Sequence, residues 1–243
     1  MKPYFIFLPY FHIAMLAVIP FVFFLPIEPI WFLVWAAMHF FIITFGVHFT
    51  FHRLIAHRTF KTFKLVEWFG SVVGCLAVTG SSIGWSVVHI QHHIHADTEK
   101  DPHSPKHSGW KIILGFLNYS VLDKRSLVPL KHIIYDPFHL FLEKYYPFVL
   151  FGWWTLCYIM FGLEGLLFLG LLPSCTSGVA MMASNYLLHN KEGESTNNPF
   201  MWFLVFGETA HADHHIKPYA PFVSAYKWLD PTNYYIKALR TDK

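Results

Sequence analysis

Residues 88–96 read V-H-I-Q-H-H-I-H-A and set His89, His92 and His93 in an H-x-x-H-H pattern. On a helix, positions i, i+3 and i+4 share one face, so a single turn presents three imidazoles. Imidazole suits iron, copper, zinc and nickel. One such triplet reads equally well as a polar loop rich in His. The pattern recurs, however, at residues 210–216, A-H-A-D-H-H-I, with His211, His214 and His215. Residues 51–58 add His52 and His57 in H-x-x-x-x-H, and residues 185–189 add Asn185 and His189 in N-x-x-x-H. The chain holds 17 His, almost as many as its 18 Lys and Arg. Packing does not explain that excess, because His is neither a core former nor a cheap membrane residue.

Composition narrows the class. Of 243 residues, 54% are hydrophobic, 19% aromatic and only 14% charged, against about 25% charged in a soluble domain. This is the balance of a membrane protein. Cys75, Cys157 and Cys175 sit in apolar stretches without a C-x-x-C, which argues against a disulfide scaffold or a thiolate zinc site. A net charge of +3 is too small to suggest a nucleic-acid partner. No cleavable leader is read at the N-terminus, since no small-residue cleavage site follows the first apolar run.

Four apolar runs, near 10–27, 30–49, 145–162 and 165–188, are each about long enough to cross ~30 Å of hydrocarbon. Short links at 25–29 and 162–165 make two tight hairpins of them. His12 and His39, within or near these runs, read as partnered or interfacial groups. Residues 65–85 are apolar enough to cross as well. A crossing there would put His89–His93 on the opposite side from His52 and His57, so this stretch is expected to lie at the interface. His52 and His57 are five residues apart, which turns the second away from the first on an ideal helix. The helix is therefore expected to end or distort between them, and His48 ranks below both. His95, His103 and His107, in the polar and turn-rich stretch 94–127, read as solvated loop residues.

Charge orients the chain. The hairpin loops around Glu28 and Glu164 contain no Lys or Arg; all 18 basic residues lie elsewhere. By the positive-inside rule both termini and the central segment are cytoplasmic. All four His pieces then fall on one side. The expected fold is an all-α integral membrane protein of one domain, 1–243: four transmembrane helices in two hairpins, with a cytosolic helical cap from 50–144 and 189–243 holding a His-rich site.

His52, His57, His89, His92, His93, His189, His211, His214 and His215 make nine imidazoles. A tetrahedral zinc needs at most four ligands. Nine suit two metals, at four and five each, and Asn185 can hold a water or reach a metal weakly. Imidazole-only ligation leaves redox-active iron or copper open. A carboxylate di-iron bundle needs two E-x-x-H pairs, whereas this chain has one, at Glu208 and His211. Glu208 therefore reads as a group that orients a His.

The set H-R-L-I-A-H, H-I-Q-H-H, N-x-x-x-H and H-A-D-H-H resembles the membrane fatty acid desaturases of the delta-9 type. Residues 85–105, ending D-T-E-K-D-P-H-S-P, are similar to that family's D-T-D-x-D-P-H segment, and residues 206–218 to its G-E-x-x-H-x-x-H-H-x-x-P. The resemblance runs from about His48 to Pro218. It implies four spans, a cytosolic di-iron cap, the nine His as iron ligands with Asn185 holding a water, O2 as co-substrate, and removal of two hydrogens from an acyl chain to leave a cis double bond. The acyl group could be carried by CoA, a carrier protein or a glycerolipid. Departures flank the ligands: Ala212–Asp213 stand where the family often has Asn-Asn, and Thr209–Ala210 replace a common Gly-Trp. No H-P-G-G haem motif occurs, so electrons are expected from a separate ferredoxin or cytochrome. Two rival readings are a related membrane di-iron hydroxylase or oxygenase, and a non-enzymatic His-rich carrier or sensor of zinc or copper.

Overall fold

The structure is a computed structural model that describes residues 4–96, 98–190, 194–221 and 227–242. The side chain of His107 lies outside the described set, and so does the expectation placed on it. Helix α1 covers Tyr4–Val22 and α2 covers Ile30–Phe41. Phe23 stacks on Phe32 at 5.4 Å and closes the link between them. No residue of α2 is fully buried within the protein, although the helix is apolar all round. It continues without a break into a π-helical stretch, Ile42–Ala56, in which every residue is buried.

Arg58, in the left-handed region at φ 53°, ends this long helix. Helix α3, Lys64–Cys75, then runs back against it. A Cβ added to Gly46 would meet the Gly74 nitrogen at 2.7 Å, so the two backbones touch there. The 12 residues of α3 rise only about 18 Å, short of the ~30 Å hydrocarbon core. Positive φ at Val78 and Gly80 turns the chain again. Helix α4, Ser82–His95, starts at Ser81, whose Oγ accepts the Gly84 N–H at 3.1 Å.

Short helices α5, Pro105–Ser108, and α6, Lys131–Ile134, with intervening 3-10 turns, form the central cap. Gln91 ties this cap to α4 by donating to the Lys100 and Val121 carbonyls at 3.2 and 2.9 Å. Helix α7, Pro137–Gly165, is N-capped by Asp136, whose Oδ1 accepts the Phe138 N–H at 2.9 Å. It passes through a second π-helical stretch, Leu166–Leu171, into α8, Leu172–Leu187. A straight helix of these 51 residues would reach about 76 Å. Non-helical angles at Phe161 and Gly162 fold it back on itself instead. Trp153 Nε1–H donates across the bend to the Leu169 carbonyl at 3.2 Å, and Trp154 to Ser174 Oγ at 3.4 Å. Helices α9, Trp202–Val205, α10, His211–Ile216, and α11, Pro231–Leu239, complete the cap. Tyr235 of α11 sits edge-on to Phe45 at 5.3 Å.

The chain is helical, with no strand ladder among the described residues. Among the described residues two helical segments are long and apolar enough to cross a membrane, Ile30–Ala56 and Pro137–Leu187, and the apolar part of α1, Phe7–Val22, is shorter. The expected boundaries shift accordingly. The first helix stops at Val22, ahead of Pro26 and Pro29, and α7 begins at Pro137, after its Asp136 cap and eight residues before the apolar run. The helix expected to end near residue 49 reaches Ala56, because Arg53 is paired inside the protein with Glu208 and Asp230.

Candidate metal centre

The π-helical stretch solves the spacing of His52 and His57. The His57 N–H donates to the His52 carbonyl at 3.0 Å, an i to i+5 bond. Wider winding brings residues five apart onto one face, and the two rings lie 4.7 Å apart. The distortion expected between them is thus a change of helix type that leaves the helix unbroken.

Both H-x-x-H-H triplets divide in the same way. His89 and His93 of α4 join His52, His57 and His214 in one group whose ligand atoms all lie within 4.8 Å of one another. His92 joins His211 and His215 in a second group meeting the same limit. The i, i+4 pair of each triplet stays together, and the residue between them reaches the other group. His189 stands beside the second group, its ring 5.5 Å from His92 and 5.2 Å from His211. Nε2 atoms converge: His52 on His214 at 2.9 Å, His57 on His89 at 2.8 Å, His93 on His214 at 3.1 Å, His92 on His215 at 3.0 Å and His211 on His215 at 3.1 Å.

Partners on the far nitrogens orient these rings, as at metal-binding histidines generally. His92 Nδ1–H donates to Asp101 Oδ2 at 2.8 Å. His189 Nδ1–H donates to the Asn185 carbonyl at 2.6 Å. His52 Nδ1 lies 3.3 Å from Glu208 Oε1. Glu208 is held in turn by Arg53 at 3.1 Å, and Arg53 also donates to Asp230 at 2.7 Å, to the Pro221 carbonyl at 2.9 Å and to Asn233 at 3.3 Å. Burial alone would raise the Glu208 pKa, but the His52 imidazole, the Arg53 guanidinium and the His48 imidazole beside it hold it well below the usual carboxylate range. Burial first, and neighbouring imidazoles second, keep His89, His92, His93, His211 and His214 well below the ordinary histidine range. The same causes push His215 down to about 4. Neutral imidazoles with inward lone pairs are what a metal requires. The donor set, all nitrogen with carboxylates only behind it, fits late first-row ions and excludes magnesium or calcium.

Two cavities flank the imidazoles. One, about 40 Å³, lies toward α8 and is lined by His48, Trp85, Met181, Met182, Leu188 and Asn185 along with ring faces of the site. The other, about 530 Å³, opens over His57 and His93. All nine expected histidines are brought together, and Asn185 lines the smaller cavity beside His211. Glu208 stands behind His52, as expected. His48 is buried 3.8 Å from Glu208 and outside both groups. His12 and His39 are partnered, to the Leu114 carbonyl at 3.2 Å and Ser177 Oγ at 3.1 Å.

The expectation for His103 is corrected. It is only 5% exposed, its ring 5.0 Å from His92, because Asp101 folds the loop inward by accepting the His103 N–H at 2.8 Å. Asp101, Arg53 and Asp230 were not singled out in the sequence. A lone Arg directly after His52 in an apolar stretch is the signal that could have found Arg53. Asp230, in the distant C-terminal segment, carries no such mark.

A family model described as fatty acid desaturase matches residues 29–225. The chain is 34% identical over 208 residues to the sn-1 stearoyl-lipid 9-desaturase of Anabaena variabilis, an alignment covering 81% of this chain and 76% of that protein. It is 30% identical over 211 residues to the icosanoyl-CoA 5-desaturase of Limnanthes douglasii, covering 80% of this chain but 58% of that longer protein. To the sn-2 palmitoyl-lipid 9-desaturase of Nostoc sp. (strain 36) it is 26% identical over 235 residues, covering 87% and 81%.

Proposed function

This chain belongs to the fatty acid desaturase family, and from that membership we propose that it is an O2-dependent fatty acyl desaturase, an oxidoreductase that places a cis double bond at the delta-9 position of a saturated acyl chain. The observation that carries the reading is the convergence of nine imidazoles into a group of five and a group of four beside a small cavity walled in part by Trp85, Met181, Met182 and Leu188. In this reading His52, His57, His89, His93 and His214 hold one iron, and His92, His189, His211 and His215 hold the other. Bound iron supplies the activation of O2 that removes hydrogen from an unactivated methylene.

The protein's own residues hold, orient and shield. Asp101 and Glu208 fix the rotation and tautomer of His92 and His52, so Nε2 carries the inward lone pair. Asn185 places a water at the second group. Trp85, Met181, Met182 and Leu188 present an apolar wall that excludes bulk water and holds two adjacent methylenes near the metals. The acyl head group stays outside this wall. Names among the relatives cover both lipid-linked and CoA-linked chains.

We infer four membrane crossings, by α1, by α2 with its π-helical extension, and by the two arms of α7–α8, with both termini and the cap on the cytoplasmic side. What supports this is the pair of helical hairpins and the absence of Lys and Arg from residues 23–29 and 161–165. Electrons come from an external carrier protein.

The test is expression in a desaturase-deficient host, with double-bond location by gas chromatography and iron counted on the purified chain. A new cis-monounsaturated acid with iron near two per chain is expected. A hydroxylated acid would move the chain to the hydroxylase class. Loss of iron-dependent product in neither His92→Ala nor His214→Ala would refute the site.

A further inference from the structure

The group of five imidazoles is open on two sides. His52, His89 and His214 face the small cavity walled by Trp85, Met181 and Met182. His57 and His93 form the floor of the larger cavity, about 530 Å³, which opens to the surface of the cap. Its wall contains Ile90, Ile94 and Tyr219 and no carboxylate; Ile94 is 43% and Tyr219 76% exposed. One cation lines it and two more lie next to its wall in the chain. Arg58 lines the cavity, Lys131 lies two residues beyond Pro129 of the wall, and Lys217 precedes Pro218 of the wall. All three are exposed, and among the described residues none makes an ion pair. Apolar contacts at the centre with charges at the edge are the anatomy of a protein interface.

We propose that this face, centred on Arg58 with Lys131 and Lys217, is the docking surface for a small acidic one-electron carrier protein, and that electrons enter the site through His57 and His93. The proposal rests on the desaturase reading. Removing two hydrogens from an acyl chain while reducing O2 to two waters requires two further electrons and two protons. A one-electron carrier must therefore dock, be oxidised and leave twice in each turnover. Brief repeated encounters call for long-range charge attraction more than for a large buried interface. The two-sided arrangement lets the carrier approach the metals without displacing the acyl chain. A recess of this size admits side chains of a partner but no folded domain, so the carrier covers it and the imidazole edges bridge the rest.

The test uses the full chain, iron-loaded and in nanodiscs, with an oxidised plant-type [2Fe–2S] ferredoxin as the probe. Binding is measured at low and at raised salt for the wild type and for Arg58→Glu, Lys131→Glu and Lys217→Glu. Each reversal is expected to weaken binding by about tenfold at low salt, with the difference shrinking as salt screens the charges. Single turnover driven by dithionite in place of ferredoxin should stay within about twofold in all three variants, which separates docking from misfolding. The reversal Lys237→Glu on α11, outside the cavity wall, should leave binding unchanged. Unaltered ferredoxin binding in the three variants would overturn the proposal, as would an equal effect from Lys237→Glu. If the reversals instead raise KM for the acyl substrate under dithionite and spare ferredoxin binding, the face recognises an anionic head group and the proposal fails. Wild-type protein that carries no iron and makes no product with dithionite would sink the desaturase reading itself, on a separate readout.

Discussion

His89 and His92 stand on the same turn of α4, yet they serve different imidazole groups: His89 meets His57 at 2.8 Å, and His92 meets His215 at 3.0 Å. The triplet on α10 repeats the division, with His214 crossing to His52 while His211 stays with His215. Each short helix thus supplies both groups, and the two groups share two struts.

That division predicts how iron is lost. The double variant His89→Ala/His93→Ala removes two ligands from one group and should retain about one iron per chain. His92→Ala/His93→Ala takes one from each and should retain less. Both should abolish turnover. Iron counted per purified chain decides, and equal stoichiometry in the two doubles would contradict the grouping.

Asp101 accepts from His92 Nδ1 and from the His103 N–H through its two oxygens. Asp101→Asn keeps the shape but offers an N–H to one of these donors. A fall of about 10–100-fold in iron affinity or turnover is expected, the range for a partner behind a metal ligand. Competition with a chelator measures the first and product formation the second. An unchanged chelator midpoint would show that Asp101 only shapes the loop.

Arg53 is fully buried and holds Glu208, Asp230, Asn233 and the Pro221 carbonyl together. Arg53→Met strands two carboxylates in the interior. Breaking such a cluster costs about 3–5 kcal/mol, read as a large drop in the thermal midpoint of the purified protein. Because Glu208 also braces His52, iron occupancy should fall in parallel. Asp230→Asn leaves one carboxylate to match the one guanidinium and should be milder.

Gly46 packs against the backbone of Gly74, with no flexible side chain between. Gly46→Ala forces the π-helical stretch and α3 apart, at a cost of about 1–3 kcal/mol. It also displaces His52, six residues on. Gly152→Ala, where nothing lies within 4 Å of an added Cβ, is the control and should unfold like the wild type. A thermal midpoint for Gly46→Ala equal to that control would show that the contact is looser than drawn.

Much of this protein was legible in its residues. Apolar runs separated by short links announced the helical hairpins, because a chain in hydrocarbon must satisfy its backbone within helices. Histidines at repeated spacing named the nine candidates, because imidazoles in such numbers have no packing use. Boundaries were less legible. The second apolar run is read to stop near residue 49, ahead of Arg53, yet that charge meets Glu208 and Asp230, more than 150 residues away, and the helix continues to Ala56. The allotment of ligands could not be read from spacing, since i, i+3 and i+4 point the same way on an α-helix. It took the crossing of α4, α10 and the π-helical stretch to send His92 one way and His89 and His93 the other. His103 likewise looks like any loop histidine until Asp101 turns it inward. Local pattern determines which residues can bind metal and which segments can lie in lipid. Long-range packing decides which imidazoles converge and which charges are buried, because those depend on residues that meet only when the helices have assembled.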